Sequence, residues 1–539
     1  MLSVNWTCRV HAGLFIWTMQ PGVSVILIFH VKSINVGLTH SREMRKEGFV
    51  RLVHADEEFV TWVAHLRYPD MQRAVFLKLP VTGCRIALLT VRDGLDDDFH
   101  MRILVVDQEC MGLDFVLRCV AAEHDVRWYR YSPKPIRDGE GMGLKIVDDW
   151  RDSMPWAKDG LIWCSGNFRF LHELDRYREH GFRIFAPTVA SARLEIDRGA
   201  GMEAMKAAGI DVPPFHEFDS ISAAEKFARK SDRAWVFKPL GDEADKSLTY
   251  VANDPADLVG FLGRQIASGK QLKGKCMLQE KLDMLCEIGV SGWFGQDGFL
   301  QDKWQICFEH KKLMDGEVGP ATGEMGTITQ YCETDKLANE MLLPLAPALQ
   351  ALGHRGDFAV GAGIDRQGKA WPFEFTSRAG WPAFFIQCAS HRGDPAAWMA
   401  ALLDGKDTLR VSYDVAIGVV LAQPRHPYNA SPPELVEGNP ISGIEEVYDD
   451  FHCASVMLGK GPKMEGDRVV EGPVYMTTGE LIGCATGLGK TIDRARTKVY
   501  RTIDQVNYPN MMFRRDIGEK VQKALPALKK FGYAADMEP

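Results

Sequence analysis

The run Met101-Arg102-Ile103-Leu104-Val105-Val106-Asp107 constrains this chain more than any other stretch. It is short, almost wholly apolar, and ends in an acidic turn. The apolar positions that follow, Phe115, Leu117 and Val120, have helical spacing. A strand that is apolar on both faces must be covered on both, and helices packed on a parallel sheet provide that cover. The run is therefore a βα unit, and the chain is predicted to be α/β. The pattern recurs. Strands are predicted at Asp159–Cys164, Arg183–Ala186, Ala234–Lys238, Met277–Glu280 and Asp414–Leu421. A helix is predicted over about Ser191–Ala208, stopped by Gly209, and another over Asp493–Thr502 ahead of a Lys-rich tail.

A chain of 539 residues exceeds one ordinary core, so two to four domains are expected. A net charge of -8, without a Lys/Arg block, gives no basis for a nucleic-acid partner. The twelve cysteines form no CxxC pair, which points to free or buried thiols in a reducing cytoplasm. Leu14–Val31 is apolar but is interrupted by Gln20, Pro21, Gly22 and His30, and it lacks a cleavage pattern. It reads as neither a membrane span nor a signal peptide. Residues 1–100 show no clear order of strand, turn and helix, apart from one candidate strand at Cys84–Val91. The abrupt onset of βα patterning predicts Met101 as the natural start and 1–100 as an extension.

Two lysines open the chemistry. Lys238 ends a buried strand, Pro239–Asp245 reads as a loop, and a strand resumes at Leu248–Val251, just after Lys246. Two ammonium groups flanking a loop can clasp a polyphosphate, although a lysine at a hairpin is ordinarily just solvated. Downstream, His310-Lys311-Lys312 precedes Asp315–Gly326, a stretch too rich in Gly and Pro for a helix or an ordinary strand. Such a loop lets backbone N–H groups approach an anion. In Trp371–Arg378 the alternate positions Glu374, Thr376 and Arg378 are predicted to share one strand face. A carboxylate there suits Mg²⁺ held against nucleotide phosphates.

From Met101 onward the sequence resembles the glycinamide ribonucleotide synthetase (phosphoribosylamine–glycine ligase) family, ATP-grasp enzymes of purine synthesis. The resemblance runs through Ala186-Pro187, Leu194-Glu195, the Lys238/Lys246 pair, Gln279-Glu280-Lys281-Leu282, the 310–326 loop and Glu374–Arg378. It continues through Phe451–Ala454 and Phe513–Gly518. It implies a pre-ATP-grasp open-sheet domain at 101–190, a two-part ATP-grasp domain at 191–410 and a β-rich C-terminal domain at 411–539. It also implies an ADP-forming ligase that joins a carboxylate, glycine or another amino acid, to an amine acceptor through an acyl phosphate. ATP and Mg²⁺, with Mn²⁺ as the alternative, are the implied cofactors. Arg198, Lys238 and Lys246 would face phosphate, Gln279 and Glu280 adenine, and Glu287 ribose. Glu374 and Thr376 would hold the metal. Thr322, Gly323, Met325 and Gly326 would bind substrate, and Lys311, Asp315 and Arg378 would act in catalysis. A cytoplasmic monomer or homodimer, with no membrane or nucleic acid, completes the expectation.

The sequence also departs from the family. Asp242, Glu243 and Asp245 stand where glycines bind phosphate, Thr376 replaces an asparagine, and Ala321 and Glu324 are substitutions in the signature loop. The first βα turn carries Asp107 and Glu109, with Gly112 as its only glycine. A phosphate there would meet two carboxylates, so an acceptor that is neutral or cationic at this end is predicted, unless Arg118 or Arg378 compensates. An inactive nucleotide-binding protein is the second reading. A dinucleotide redox enzyme is disfavoured because no G-x-G-x-x-G follows the first strand.

Overall fold

A computed structural model describes residues 100–539, apart from 109–110, 241–247, 271, 273 and 429–430, and the strand backbone of residues 1–99. The chain forms two compact units, Met1–Phe99 and His100–Pro539. The first contains three antiparallel pairs: Val4–Cys8 with Ile34–Leu38, Gly13–Thr18 with Ser24–Phe29, and Gly48–Ala55 with Val60–Leu66. Antiparallel strand pairs carry no βα rhythm, which is why the sequence shows none here. Within the apolar stretch Leu14–Val31 the described residues belong to the paired strands Gly13–Thr18 and Ser24–Phe29, and no helix among the described residues is long and apolar enough to cross a membrane. The strand expected at Cys84–Val91 lies outside the described residues.

The second unit opens with the predicted βα arrangement. Five parallel strands run in the order Ile184–Phe185, Leu161–Cys164, Arg102–Asp107, Asp125–Arg130, Lys145–Ile146. Ile103, Leu104, Val105 and Val106 are fully buried, as a strand covered on both faces requires. Helix Leu113–Ala121 covers one face with Phe115 and Val116. The single helix expected over 191–208 is instead two, Val189–Ile196 and Arg198–Ala207. Asp197 breaks it: its backbone is extended, and its carboxylate accepts the Ala200 N–H as an N-cap. Such a cap stabilises a helix start by about 1 kcal/mol. The apolar periodicity continued through the break and concealed it.

A small antiparallel lobe follows, with strand order Phe215–Phe218, Cys276–Glu280, Trp235–Pro239, Tyr250–Val251. Helices Ile221–Ala228 and Pro255–Ala267 cover it. The chain enters this lobe through 211–214 and leaves through 281–283. One hairpin turn grips both crossings: Lys369 pairs with Asp211 at 2.7 Å and Arg366 with Asp283 at 2.7 Å.

The largest element is a nine-stranded sheet. Its antiparallel order is Ala370–Thr376, Gly356–Asp365, Met284–Gly295, Trp304–Glu309, Gly326–Cys332, Val415–Ala422, Leu481–Gly489, Phe451–Cys453, with Gly298–Phe299 paired to the third. Strands from either side of residue 411 pair within this sheet, Gly326–Cys332 with Val415–Ala422. Helix Ile492–Ile503 packs on Leu481–Gly489 so closely that a Cβ at Gly487 would lie 2.5 Å from the Val499 nitrogen. The Lys-rich tail is itself a helix, Glu519–Lys530. The Gly/Pro-rich stretch expected to be wholly loop forms a small hairpin. Lys312–Met314 pairs with Val318–Ala321 across a turn that Gly316 permits at φ 72°.

Residues directly opposite one another in a sheet share a face. One face of the broad sheet carries Val290, Ile306, Ile328, Val360 and Phe375 into the core. The other carries Glu374, Gly361, Gly289, Cys307 and Thr329 in one row, and Thr376, Ala359, Ser291 and Gln305 in the next. Helix Ala383–Ser390 lies over the second row. Its Gln387 donates to Gln305 Oε1 (2.7 Å), Asp357 Oδ2 (3.2 Å) and Ser291 Oγ (3.4 Å). Asp357 is buried, with Oδ1 lacking a partner among the described residues.

Burial pushes the Asp357 carboxyl up to about 7, against the hydrogen bonds from Gln387 and Ser291. The fold thus favours its protonated form. That contribution is intact below the ordinary value of 3.8 and is lost as pH rises towards 7. Asp357→Asn has no proton to lose. Its stability relative to the native protein is expected to rise by a few kcal/mol from about pH 4 to about pH 7. Urea midpoints at both ends of that range check this, and a constant difference would show that Asp357 does not titrate there.

Candidate functional site

The small lobe and the broad sheet meet at Lys238. This residue sits on Trp235–Pro239, two positions from Val236, which pairs with Gln279 on the neighbouring strand. Lys238 and Gln279 are therefore diagonal neighbours on one face. The Lys238 ammonium is buried and donates to the Phe373 carbonyl across the junction, at 3.3 Å. Glu374 follows Phe373, and three cations converge on it. Arg198, at the first position of its helix, donates to Glu374 Oε2 at 2.9 Å and to the Pro239 carbonyl at 3.3 Å. Lys311 Nζ is 4.0 Å from Glu374 Oε1 and 3.0 Å from Glu309 Oε2.

These neighbours set the protonation states. Burial alone would raise the Glu374 carboxyl, but Lys311, Arg198 and Lys238 together hold it down to about 2. Burial lowers Lys238 to about 8, opposed by Glu374. Glu309 holds Lys311 well above the usual ammonium range. The cluster therefore combines a firmly ionised carboxylate, a permanent guanidinium, a firmly charged ammonium and an ammonium that can lose its proton near neutrality. Such a set binds polyphosphate and a divalent cation. Among the described residues no group of three His, Cys, Asp or Glu side chains has metal-ligand spacing. A metal at Glu374 would take its other ligands from phosphate and water, as Mg²⁺ commonly does.

The remaining expected residues are placed as follows. Glu287 lies on the same strand face as Gly289 and adds negative potential at Lys238 and Lys311. Gln279 is buried against Met202, and Glu280 is paired with Arg233 at 2.9 Å. Lys246, with Asp242, Glu243 and Asp245, lies outside the described residues. Thr376 shares the face of Glu374, but the strand ends there. Arg378 stands beyond the strand, so the alternation that was to bring it onto the face of Glu374 does not reach it. Glu195 fixes that turn instead. Its Oε2 accepts from Ser377 N (2.7 Å), Ser377 Oγ (3.1 Å) and Asn167 Nδ2 (2.6 Å), and Arg378 Nε is 3.7 Å from Oε1.

The 310–326 segment is more structural than its composition suggests. Thr322 N and Oγ1 both donate to the Lys311 carbonyl, at 2.7 and 2.9 Å. The hydroxyl thus positions Lys311. Met325 is buried and donates its N–H to His310 O, and Gly326 packs against the Gly418 carbonyl. Of the four expected substrate-binding residues, Gly323 is exposed and Thr322 half-buried, while Met325 and Gly326 are buried. Asp315 accepts the Arg515 N–H at 2.8 Å, tying the hairpin turn to the C-terminal segment. His310 is buried and held neutral, lowered to about 3 by burial, and accepts from Gly518 N. His452 is likewise structural, buried between Asp114 (2.7 Å) and Thr486 (3.2 Å). Asp365 is bound within its own turn to Gln367 N, Lys369 N and Trp371 Nε1.

Glu309 and Glu195 carry functions the sequence reading did not assign. Glu309 could have been found by strand alternation from Cys307. Glu195 had no local signal, because its partners are distant in the chain.

Comparison with known proteins agrees with this architecture. Residues 416–520 match the family model described as the C domain of phosphoribosylglycinamide synthetase. The phosphoribosylamine–glycine ligase of Neisseria meningitidis serogroup B is 24% identical over 368 residues, 64% of this chain and 81% of that protein. That of Vibrio cholerae serotype O1 is 27% identical over 362 residues, 64% of this chain and 79% of that one. Among solved structures, the phosphoribosylamine–glycine ligase of Thermotoga maritima superposes with a TM-score of 0.60 at 20% identity, covering 77% of this chain and all of that one. A biotin carboxylase from Campylobacter jejuni, solved in an ATP-analogue complex, gives 0.53 at 12% identity over 81% of this chain and 98% of that one. The fold is thus a multi-domain ATP-grasp architecture, and the chain resembles phosphoribosylamine–glycine ligase.

The charge cluster has a direct signature. Because the Glu374 carboxylate opposes the burial penalty on Lys238, Glu374→Gln is expected to move the Lys238 titration further below about 8. NMR of ¹³C-labelled lysine side chains reads this. An unchanged Lys238 midpoint would show that the two groups are not electrostatically linked.

Proposed function

We propose that this chain is an ATP-dependent carboxylate–amine ligase, forming an amide between an amino acid and a primary amine through an acyl phosphate. The observation that carries the reading is the convergence of Arg198, Lys238 and Lys311 on Glu374 at the junction of the two lobes. A carboxylate repels nucleophiles and must be activated, and phosphoryl transfer depends on positioning and charge neutralisation. ATP supplies the phosphoryl group, with Mg²⁺ offsetting its charge. Arg198 and Lys238 bind the phosphates, joined by Lys246. Glu374, backed by Thr376, is the metal-binding carboxylate. Gln279 and Glu280 face adenine and Glu287 the ribose. Lys311 balances charge between Glu309 and Glu374, and Arg378, held by Glu195, orients the carboxylate substrate. Gly323 borders the acceptor, and Asp315 anchors the loop that carries it. In this reading, residues 101–190 and 411–539 flank an ATP-grasp domain at 191–410.

Glycine and phosphoribosylamine, named by the relatives, are the first substrates to test. One observation favours a second reading, in which the acceptor bears no phosphate. Asp107 accepts from Met111 N (3.1 Å), Gly112 N (2.6 Å), Ser165 Oγ (2.9 Å) and Trp128 Nε1 (3.2 Å). Its carboxylate already holds the N–H groups of Met111 and Gly112 in the turn that leads into the first helix, where an external anion would otherwise bind. Arg118 does not compensate there, since it is committed to Asp114 at 2.7 Å.

The test is steady-state ADP release with Mg-ATP, glycine and phosphoribosylamine. Turnover at a low KM supports the first reading. ADP release that needs glycine and a non-phosphorylated amine supports the second, and no amine-dependent ADP release refutes both. Glu374→Gln is expected to abolish ADP release while the protein stays folded. Lys238→Met should weaken ATP binding by about 1.5–3 kcal/mol, read by calorimetry. Full activity in either variant would remove the cluster from the mechanism.

A further inference from the structure

Glu324 lies in the loop between Val318–Ala321 and Gly326–Cys332. The backbone on either side is fixed: Thr322 holds the Lys311 carbonyl, and Met325 N–H donates to His310 O. The Glu324 side chain is thereby turned inward. It is 7% exposed, and Oε1 is buried with no hydrogen-bond partner among the described residues. The ionisable groups acting on it are Glu309, which repels it, and Lys311, which attracts it. Behind it stand the buried thiols of Cys307 and Cys484, each raised by burial and then by nearby carboxylates including Glu324.

The charges of the cluster do not match in number. Lys311 is already shared between Glu309 at 3.0 Å and Glu374 at 4.0 Å, and Glu374 also has Arg198 and Lys238. Among the described residues, Glu324 is the buried acid of this cluster without an ion pair of its own. A buried oxygen that lacks a partner costs stability, and a ligand that supplies the missing donor removes that cost. The missing partner is positively charged and can donate a hydrogen bond, and the reaction proposed above brings in an amine.

We propose that Glu324 receives the ammonium group of the amine acceptor and takes its proton. This rests on the ligase reading. As the ammonium enters, Glu324 gives up its resting proton to solvent; the ammonium then passes one proton to the ionised carboxylate and becomes a neutral amine. The nitrogen lone pair forms the C–N bond to the acyl carbon, and the bond from that carbon to the phosphate oxygen breaks, its electron pair leaving with phosphate. The second proton on nitrogen goes to the departing phosphate, and Glu324 is left protonated, as it was before the amine entered. Burial raises the Glu324 carboxyl well above the carboxylate range, and an entering cation favours its ionised form. A base of raised pKa is matched to an amine.

The experiment uses the full chain with Mg-ATP, glycine and two probe acceptors. Methylamine is an ammonium ion at neutral pH and needs a base, whereas hydroxylamine is largely uncharged and does not. The native protein is expected to form both the methylamide and the hydroxamate. Glu324→Gln should form the hydroxamate at close to the native rate, which also shows that it is folded and activates glycine. Its methylamide rate should fall by about 100-fold or more at neutral pH and recover as pH rises. Glu324→Asp, which keeps a carboxylate, should fall between the two and carries the test if Glu324→Gln does not fold. Equal loss with both probes, an unchanged methylamide rate, or native protein that uses hydroxylamine alone would overturn the role of Glu324. No product from native protein with either probe would overturn the role of Glu324, and the further absence of amine-dependent ADP release would overturn the ligase reading with it.

Discussion

The site depends on one ionised carboxylate. Glu374 is the point where the small lobe, the helix Arg198–Ala207 and the broad sheet are electrically joined, through Lys238, Arg198 and Lys311. Three cations crowded at a junction would repel one another strongly in a partly desolvated setting. Glu374 is what permits them to be there. Its position follows from the backbone: the register of Ala370–Thr376 on Gly356–Asp365 puts it opposite Gly361, where the absent side chain leaves room above the sheet. Gly361 is paired in turn with Gly289, whose missing side chain makes room for the Cys307 sulfur.

Much of this was legible in sequence because the signals were local. Buried strands ending at a turn, such as Met101–Asp107 and Leu161–Cys164, appear where apolar runs and turn residues place them. The lysine strand and its partner Cys276–Glu280 also follow from short-range pattern, and strand alternation brought Glu374 and Thr376 onto one face. What sequence could not supply was pairing across long separations. Nothing near Glu195 announces that it will hold Ser377, nor does anything near Asp114 announce His452.

Three expectations failed for identifiable physical reasons. The helix through 191–208 was interrupted by a cap, because Asp197 competes for backbone N–H groups that helix continuation would use. Arg378 was assigned to a strand face by extending an alternation past the strand's end. The Gly/Pro-rich segment was read as loop, yet Lys312–Met314 and Val318–Ala321 pair as a hairpin, and Thr322 and Met325 spend their hydrogen bonds on Lys311 and His310. In each case the local tendency was real and a specific polar contact overrode it.

The hairpin turn at Arg366 and Lys369 gives the molecule a mechanical bias. The broad sheet is a single hydrogen-bonded body, so relative motion of the two jaws must be taken up at the 211–214 and 281–283 crossings. Both crossings are latched by exposed ion pairs from the same turn, and exposed pairs are weak and screened by salt. The jaw that bears Lys238 and Gln279 is therefore held by a soft, ionic-strength-sensitive catch on an otherwise stiff anvil. Dilute and concentrated salt would tighten or loosen that catch, while the buried Lys238 contact with the Phe373 carbonyl still ties the jaw to the sheet.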